Sequence, residues 1–267
     1  MSDPRPFEDL VRIMADLRAE GGCPWDREQT HQTLRPYLIE ETHEVIEAIE
    51  AGSDANLAEE LGDLLLQVVF HARIAEEEGR FTIQDVVGGI LEKLVRRHPH
   101  VFGDVQADTP EKVLRNWEAI KLRERAGGDG EEENTPSVLG GVPASLPALL
   151  KAQRVQTKAG RVGFDWKSPE GPLAKVREEI EEVEGAIREG GGESGCVERE
   201  MGDLLFALVN VARHLKVDAE GALRVCVDRF MGRFRYIEGR LAERGLTARE
   251  ADLATLDALW DEAKGKG

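Results

Sequence analysis

The stretch LAEELGDLLLQVVFHA, residues 57–72, reads as a helix: its apolar positions 61, 64, 65, 68, 69 and 72 follow the helical period rather than the alternation of a strand. VEREMGDLLFALVNVA, residues 197–212, repeats it at an offset of 140, with Met201, Leu204, Leu205, Leu208, Val209 and Ala212 at the matching positions. The preceding segments match at an offset of 138, so that Leu38, Val45 and Ile49 correspond to Val176, Val183 and Ile187. Each pair of helices is joined through turn formers, Ala51-Gly52-Ser53-Asp54 in the first copy and the Gly-rich 189–195 in the second. Helical spacing recurs along nearly the whole chain and no useful strand alternation is present. The expected class is all-α, with one small helical bundle written twice.

The repeat divides the 267 residues into two domains, 1–125 and 137–267, joined by the polar, acidic, Gly-rich stretch 126–136. Hydrophobic content of 41% with 33% charged residues, and no apolar run long enough for a membrane span, indicates a soluble globular protein. The start, MSDPRPFEDL, lacks the basic and apolar regions of a signal peptide, so a cytoplasmic location is expected. Cys23, Cys196 and Cys226 form no C-x-x-C pair and suggest neither a disulfide framework nor a zinc site. A formal net charge of −17, with no dense Lys/Arg tract, argues against nucleic acid as a partner. An anionic ligand would need cations to mediate.

The acidic residues suggest those cations. Glu41 and Glu44 lie on the first helix of the first copy, with Glu60 and Asp63 on the next; Glu179, Glu182, Glu200 and Asp203 repeat the set. A Glu-rich helix is ordinarily a solvated face, and one like-charged pair a turn apart costs only about 0.2–0.5 kcal/mol. Direction separates the two readings. At the helical increment, Glu41 and Glu44 fall roughly 60° and 120° to one side of the apolar stripe, and Glu179 and Glu182 take the same positions. Two antiparallel helices packed by their stripes would bring four carboxylates together. Each pair at ~4 Å would repel by about 1 kcal/mol in water and about 4 kcal/mol at an effective dielectric near 20. Oxygen donors in such a set suit a hard divalent cation, Mg2+ or its substitute Mn2+. A di-iron site of the Glu-x-x-His type is weakly supported, because Glu40-x-x-His43 occurs once and Glu181 stands where His43 would recur.

Several blocks resemble the MazG family of nucleoside triphosphate pyrophosphohydrolases, in the all-α NTP pyrophosphatase superfamily. They are Cys23-Pro24-Trp25-Asp26, Tyr37-Leu38-Ile39-Glu40-Glu41, the Glu60–Leu65 block, Arg96-Arg97-His98-Pro99-His100, Ser145–Leu149, Val162-Gly163-Phe164-Asp165-Trp166 and Met201–Phe206. The resemblance implies Mg2+-dependent hydrolysis of nucleoside triphosphates to monophosphate and pyrophosphate, with broad base tolerance, by a tandem-domain homodimer. It also implies that Glu179, Glu182, Glu200 and Asp203 are the metal ligands, and that Lys175, Arg229, Arg233 and Trp260 contact the nucleotide. The family pattern has a lysine where Arg229 stands, which keeps the charge but changes the donor geometry. Trp260 reads either as a base-stacking residue or as a core residue of the last helix. Cys23–Asp26 reads mainly as a structural turn, and His98 and His100 as capping or surface residues.

The first copy keeps Glu41, Glu44, Glu60 and Asp63 as a possible second metal site, along with Lys93-x-x-x-Arg97 and Trp117-x-x-x-Lys121. It has Tyr37 in place of Lys175 and Phe70 in place of Asn210. These differences and the resemblance both favour the C-terminal domain as the main catalyst. A nucleotide-sensing module without turnover is the competing function, and specialised dUTP or phosphoribosyl-ATP pyrophosphohydrolases are alternatives within the enzyme class.

Overall fold

A computed structural model describes residues 5–126, 137–190 and 194–266, and every regular element among them is a helix. The chain divides into two compact units, Met1–Ile120 and Lys121–Gly267. Of the expected linker over 126–136, residues 127–136 lie outside the described residues; Ala126 is the last residue of a helix that begins at Pro110.

The first unit is built from α1 (Pro6–Arg18), α2 (Pro24–Glu28), α3 (Arg35–Ala51), α4 (Asp54–Glu77), α5 (Ile83–Arg97), α6 (Pro99–Phe102) and α7 (Pro110–Ala126), the last crossing the boundary. Helices α3 and α4 form a hairpin whose turn is set by two residues. Gly52 adopts φ +65°, a left-handed conformation open to glycine, and its N–H closes α3 by donating to the carbonyls of Ala48 and Ile49. Ser53 then caps α4, its hydroxyl accepting from the Asn56 N–H at 3.3 Å. Helix α1 packs across α4, and Met14, Leu34, Val69, Phe70, Ile74 and Ile83 make the core. Arg18, at the end of α1, lies over the Phe70 ring at 5.5 Å and pairs with Glu77 at 2.7 Å.

In the second unit α8 (Ala148–Arg161), α9 (Glu170–Gly190) and α10 (Ser194–His214) repeat that plan, with α9 and α10 paired and α8 packed on α10. α11 (Ala219–Ala242) and α12 (Leu253–Lys264) enclose a separate core of Ile237, Leu241 and Leu259. Since α1 begins at Pro6 and α8 at Ala148, matching their starts puts Gln156 opposite Met14, Ala159 opposite Leu17 and Gly160 opposite Arg18.

Not all of the predicted apolar stripe is covered. Val69, Ala72 and Val209 are buried, but Leu61, Leu65 and Val68, and their repeats Met201, Leu205 and Leu208, stand exposed, as do Ile49 and Ile187. The physical reason is that α4 turns a different flank, centred on Gln67 and Phe70, toward its neighbours within the unit, leaving part of a wide apolar face in solvent. No helix among the described residues is long and apolar enough to cross a membrane.

Candidate active site

Glu179 and Glu182 project from α9 and Glu200 from α10, and one carboxylate oxygen from each lies within 4.8 Å of the others. Glu41, Glu44 and Glu60 make the same trio in the first unit. The expected sets of four thus converge as sets of three. Asp203 and Asp63 have side chains one methylene shorter and stand outside the trios, though Asp203 lines the adjoining cavity beside Glu179 and the Asp63 charge acts on Glu41.

Burial sharpens the second trio. Glu179 is 4% exposed and Glu200 9%, both unusual for carboxylates. Lys175, one turn before Glu179, holds its Oε1 at 2.6 Å and reaches Glu178 at 2.9 Å; these bonds push the lysine pKa up. The other oxygen, Glu179 Oε2, is buried with no hydrogen-bond partner in the protein. Arg199 Nη2 lies 2.7 Å from Glu200 Oε1. Lost hydration, and then the charge of Glu179, raise the pKa of Glu182. In the first unit burial, followed by the charges of Asp63 and Glu44, raises Glu41, and its close side-chain neighbour is the Gln67 amide at 3.5 Å. Tyr37 and Glu59 occupy the positions of Lys175 and Arg199 there.

Beside the second trio opens a cavity of about 400 Å3, walled by Phe164, Trp166, Phe206, Gln156 and Asn210 and reaching Glu179 at one end. That volume lies within the range of small-ligand sites, and the apolar wall, with the rings of Phe164, Trp166 and Phe206, suits a flat ring. Its polar framework is anchored by Asp165. The carboxylate pairs with Arg213 at 2.5 and 2.8 Å, and these bonds, with a further one from His214 at 2.9 Å, hold its pKa below the ordinary range against the opposing effect of burial. Gly160 makes room for the pair: a Cβ there would lie 2.8 Å from Asp165 Oδ2. Arg213 in turn donates to Asn210 Oδ1 from Nε at 3.0 Å and from Nη2 at 2.7 Å.

The first unit fills the equivalent positions. Met14 replaces Gln156, Phe70 replaces Asn210, Leu17 replaces Ala159 and Arg18 replaces Gly160, so bulky residues pack where the second unit has its cavity. It therefore keeps the carboxylates while carrying bulkier or more apolar side chains at these positions.

The remaining expected contacts lie elsewhere in the second unit. Trp260 packs against the Ile237–Leu241–Leu259 core, with the Phe230 ring at 5.1 Å and the Arg233 guanidinium at 5.7 Å. Arg229 lies one turn before Arg233 on α11, and none of the three lines the cavity. Conversely, sequence reasoning assigned no site role to Gln156, Asp165, Trp166 or Arg213. The available signals were a glutamine at a buried phase of α8 and the family-like block Val162–Trp166.

The fold and site define an all-α protein in which paired helices present glutamates beside a hollow of small-ligand size. A family model described as "MazG nucleotide pyrophosphohydrolase domain" matches residues 29–102 and again 167–236. The chain is 48% identical over 259 residues, 97% of its length and 96% of the relative's, to a Thermotoga maritima protein named nucleoside triphosphate pyrophosphohydrolase/pyrophosphatase MazG. It is 47% identical, over 97% of each chain, to the Escherichia coli K12 nucleoside triphosphate pyrophosphohydrolase. A Mycobacterium tuberculosis protein with that name is 35% identical across 95% of this chain and 66% of its own. This chain belongs to the MazG family, in a form carrying the domain twice.

Proposed function

We propose that this protein hydrolyses nucleoside triphosphates to nucleoside monophosphates and pyrophosphate in its second unit, with Mg2+ as cofactor, Mn2+ as a substitute, and broad base tolerance. The observation that carries the reading is the buried, unpartnered Glu179 Oε2 within a carboxylate trio beside a nucleoside-sized cavity. The activity named for the Thermotoga maritima and Escherichia coli relatives supports it.

Glu179, Glu182 and Glu200, with Asp203 beside them, would hold the cation; hard oxygen donors and an orphaned carboxylate oxygen fit it. A bound divalent ion supplies neutralising charge to the triphosphate and lowers the pKa of water for in-line attack. Lys175 orients Glu179 and places positive charge where phosphates enter, while the aromatic wall excludes water around the nucleoside. Arg229, Arg233 and Trp260 complete the nucleotide contacts in this reading. The first unit binds a cation through Glu41, Glu44 and Glu60, with Asp63 nearby, and contributes weakly or structurally to turnover.

Pyrophosphate and monophosphate are expected from a panel of triphosphates with Mg2+, and neither product with chelator. Binding without turnover, or release of orthophosphate alone, would sink the reading. A second readout does not depend on turnover. Protonation of Glu41 and Glu182, whose pKa values are raised in the fold, favours the cation-free folded state at low pH. That contribution fades as pH rises through their folded values. Mg2+ should therefore raise the Tm more at pH 8 than at pH 5.

Homodimerisation belongs to the same proposal. Leu61, Leu65 and Val68 are 48%, 39% and 38% exposed, and Met201, Leu205 and Leu208 are 43%, 47% and 46% exposed, an apolar stripe that a second copy would cover. Sedimentation should give twice the chain mass, and a compact monomer at micromolar concentration would count against it. A cytoplasmic location, with neither nucleic acid nor membrane as partner, agrees with the charge of −17 and the free thiols.

A further inference from the structure

Gln156 is 6% exposed and lines the cavity, yet only half of its amide is satisfied. Its Nε2 donates to the Phe206 carbonyl at 2.8 Å, which fixes the orientation of the group, and its Oε1 is buried with no partner. A buried acceptor left open is destabilising and calls for a reason. The fold does not demand a glutamine here, because the matching position of the first unit holds Met14, 1% exposed in the core. Asn210, also on the cavity lining, has its Oδ1 occupied by Arg213, which leaves its NH2 as the group available to a ligand. The two lining residues thus bring one unpaired acceptor and one donor to the cavity.

The level of these groups identifies what they meet. From Asp203, beside the carboxylate trio, to Asn210 is on the order of 10 Å along α10, a reach that carries from phosphate past sugar to base. Trp166 and Phe206 supply flat apolar surface at the same cavity. The common bases carry an N–H beside an acceptor on their pairing edge: N6 of adenine, N4 of cytosine, N1 of guanine and N3 of uracil.

Building on the hydrolase reading above, we propose that Gln156 is a specificity-determining residue whose Oε1 accepts a hydrogen bond from a base N–H. The preferred substrates are then triphosphates whose base retains that hydrogen, whichever base it is.

The test compares UTP with N3-methyl-UTP, which lacks the hydrogen, in the wild-type protein and in Gln156→Met, the residue of the first unit. Wild type should prefer UTP by about tenfold or more in kcat/KM. Gln156→Met should lower UTP hydrolysis and shrink the preference to about twofold or less. Equal wild-type rates on the two substrates would overturn the assignment, and so would a preference that survives Gln156→Met, which would indicate steric exclusion of the methyl group. 2′-Deoxy-UTP and 3′-deoxy-UTP form a control arm. A large loss on either, without one on N3-methyl-UTP, would mean that the oxygen takes a sugar hydroxyl and would overturn the proposal. No turnover of UTP itself would overturn the hydrolase reading, and this one with it.

Discussion

Glu179→Ala is expected to lower pyrophosphate release by at least about a hundredfold, whereas Glu41→Ala leaves more than half of it. The estimate is a lower bound, because altering residues that merely support a metal ligand typically costs 10–100-fold in affinity or activity. Glu179 is also the carboxylate that Lys175 orients at 2.6 Å and whose second oxygen is buried without a protein partner, so its loss removes a ligand oxygen and frees a lysine together. Glu41 occupies the same place in a unit where Met14 and Phe70 stand at the positions of Gln156 and Asn210. Glu179→Gln controls for folding: it keeps the volume, giving up the Lys175 ion pair while relieving repulsion within the trio, and a cooperative cation-free melt should show that the variant is folded. If Glu179→Ala abolished no more than half of the activity, the assignment of turnover to the second unit would be wrong.

Phe70→Ala should destabilise the first unit by about 3–5 kcal/mol, the usual range for deleting a buried aromatic side chain. Phe70 is 3% exposed, packs in the core with Met14 and Val69, and supports the Arg18 guanidinium that reaches Glu77. The chain has two compact units, so the measurement is the denaturant midpoint of the transition assigned to the first, followed by a probe confined to it. Activity per folded molecule should be unchanged. A loss below about 1 kcal/mol would mean that Phe70 is not the filler that the packing implies.

The helices and the carboxylate trios were legible in the sequence because each rests on local geometry. A 3.6-residue period marks a helix wherever it sits, and a glutamate at a set angle from that stripe stays at that angle after folding. Leu61, Leu65 and Val68 show the limit of this reasoning: periodicity identifies an apolar face without saying what covers it. The cavity was less legible. Its wall joins α8, the 162–166 segment and α10, so Gln156 and Asp165 acquire their roles through contacts some 50 residues distant in sequence. Lys175 came from resemblance, as a nucleotide contact; its pairing with Glu179 one helical turn on, at 2.6 Å, is what the structure adds. Arg229, Arg233 and Trp260 came from resemblance, and within one chain they meet one another and the α11–α12 core rather than the cavity wall.

The exchange of Met14 and Phe70 for Gln156 and Asn210 makes unequal twins of one design. The first is built for cohesion and the second for reception. A hollow forgoes the dispersion contacts that a filled interior enjoys, and a guest of the right shape restores them. In the second twin, recognising a nucleotide and becoming rigid would then be a single event.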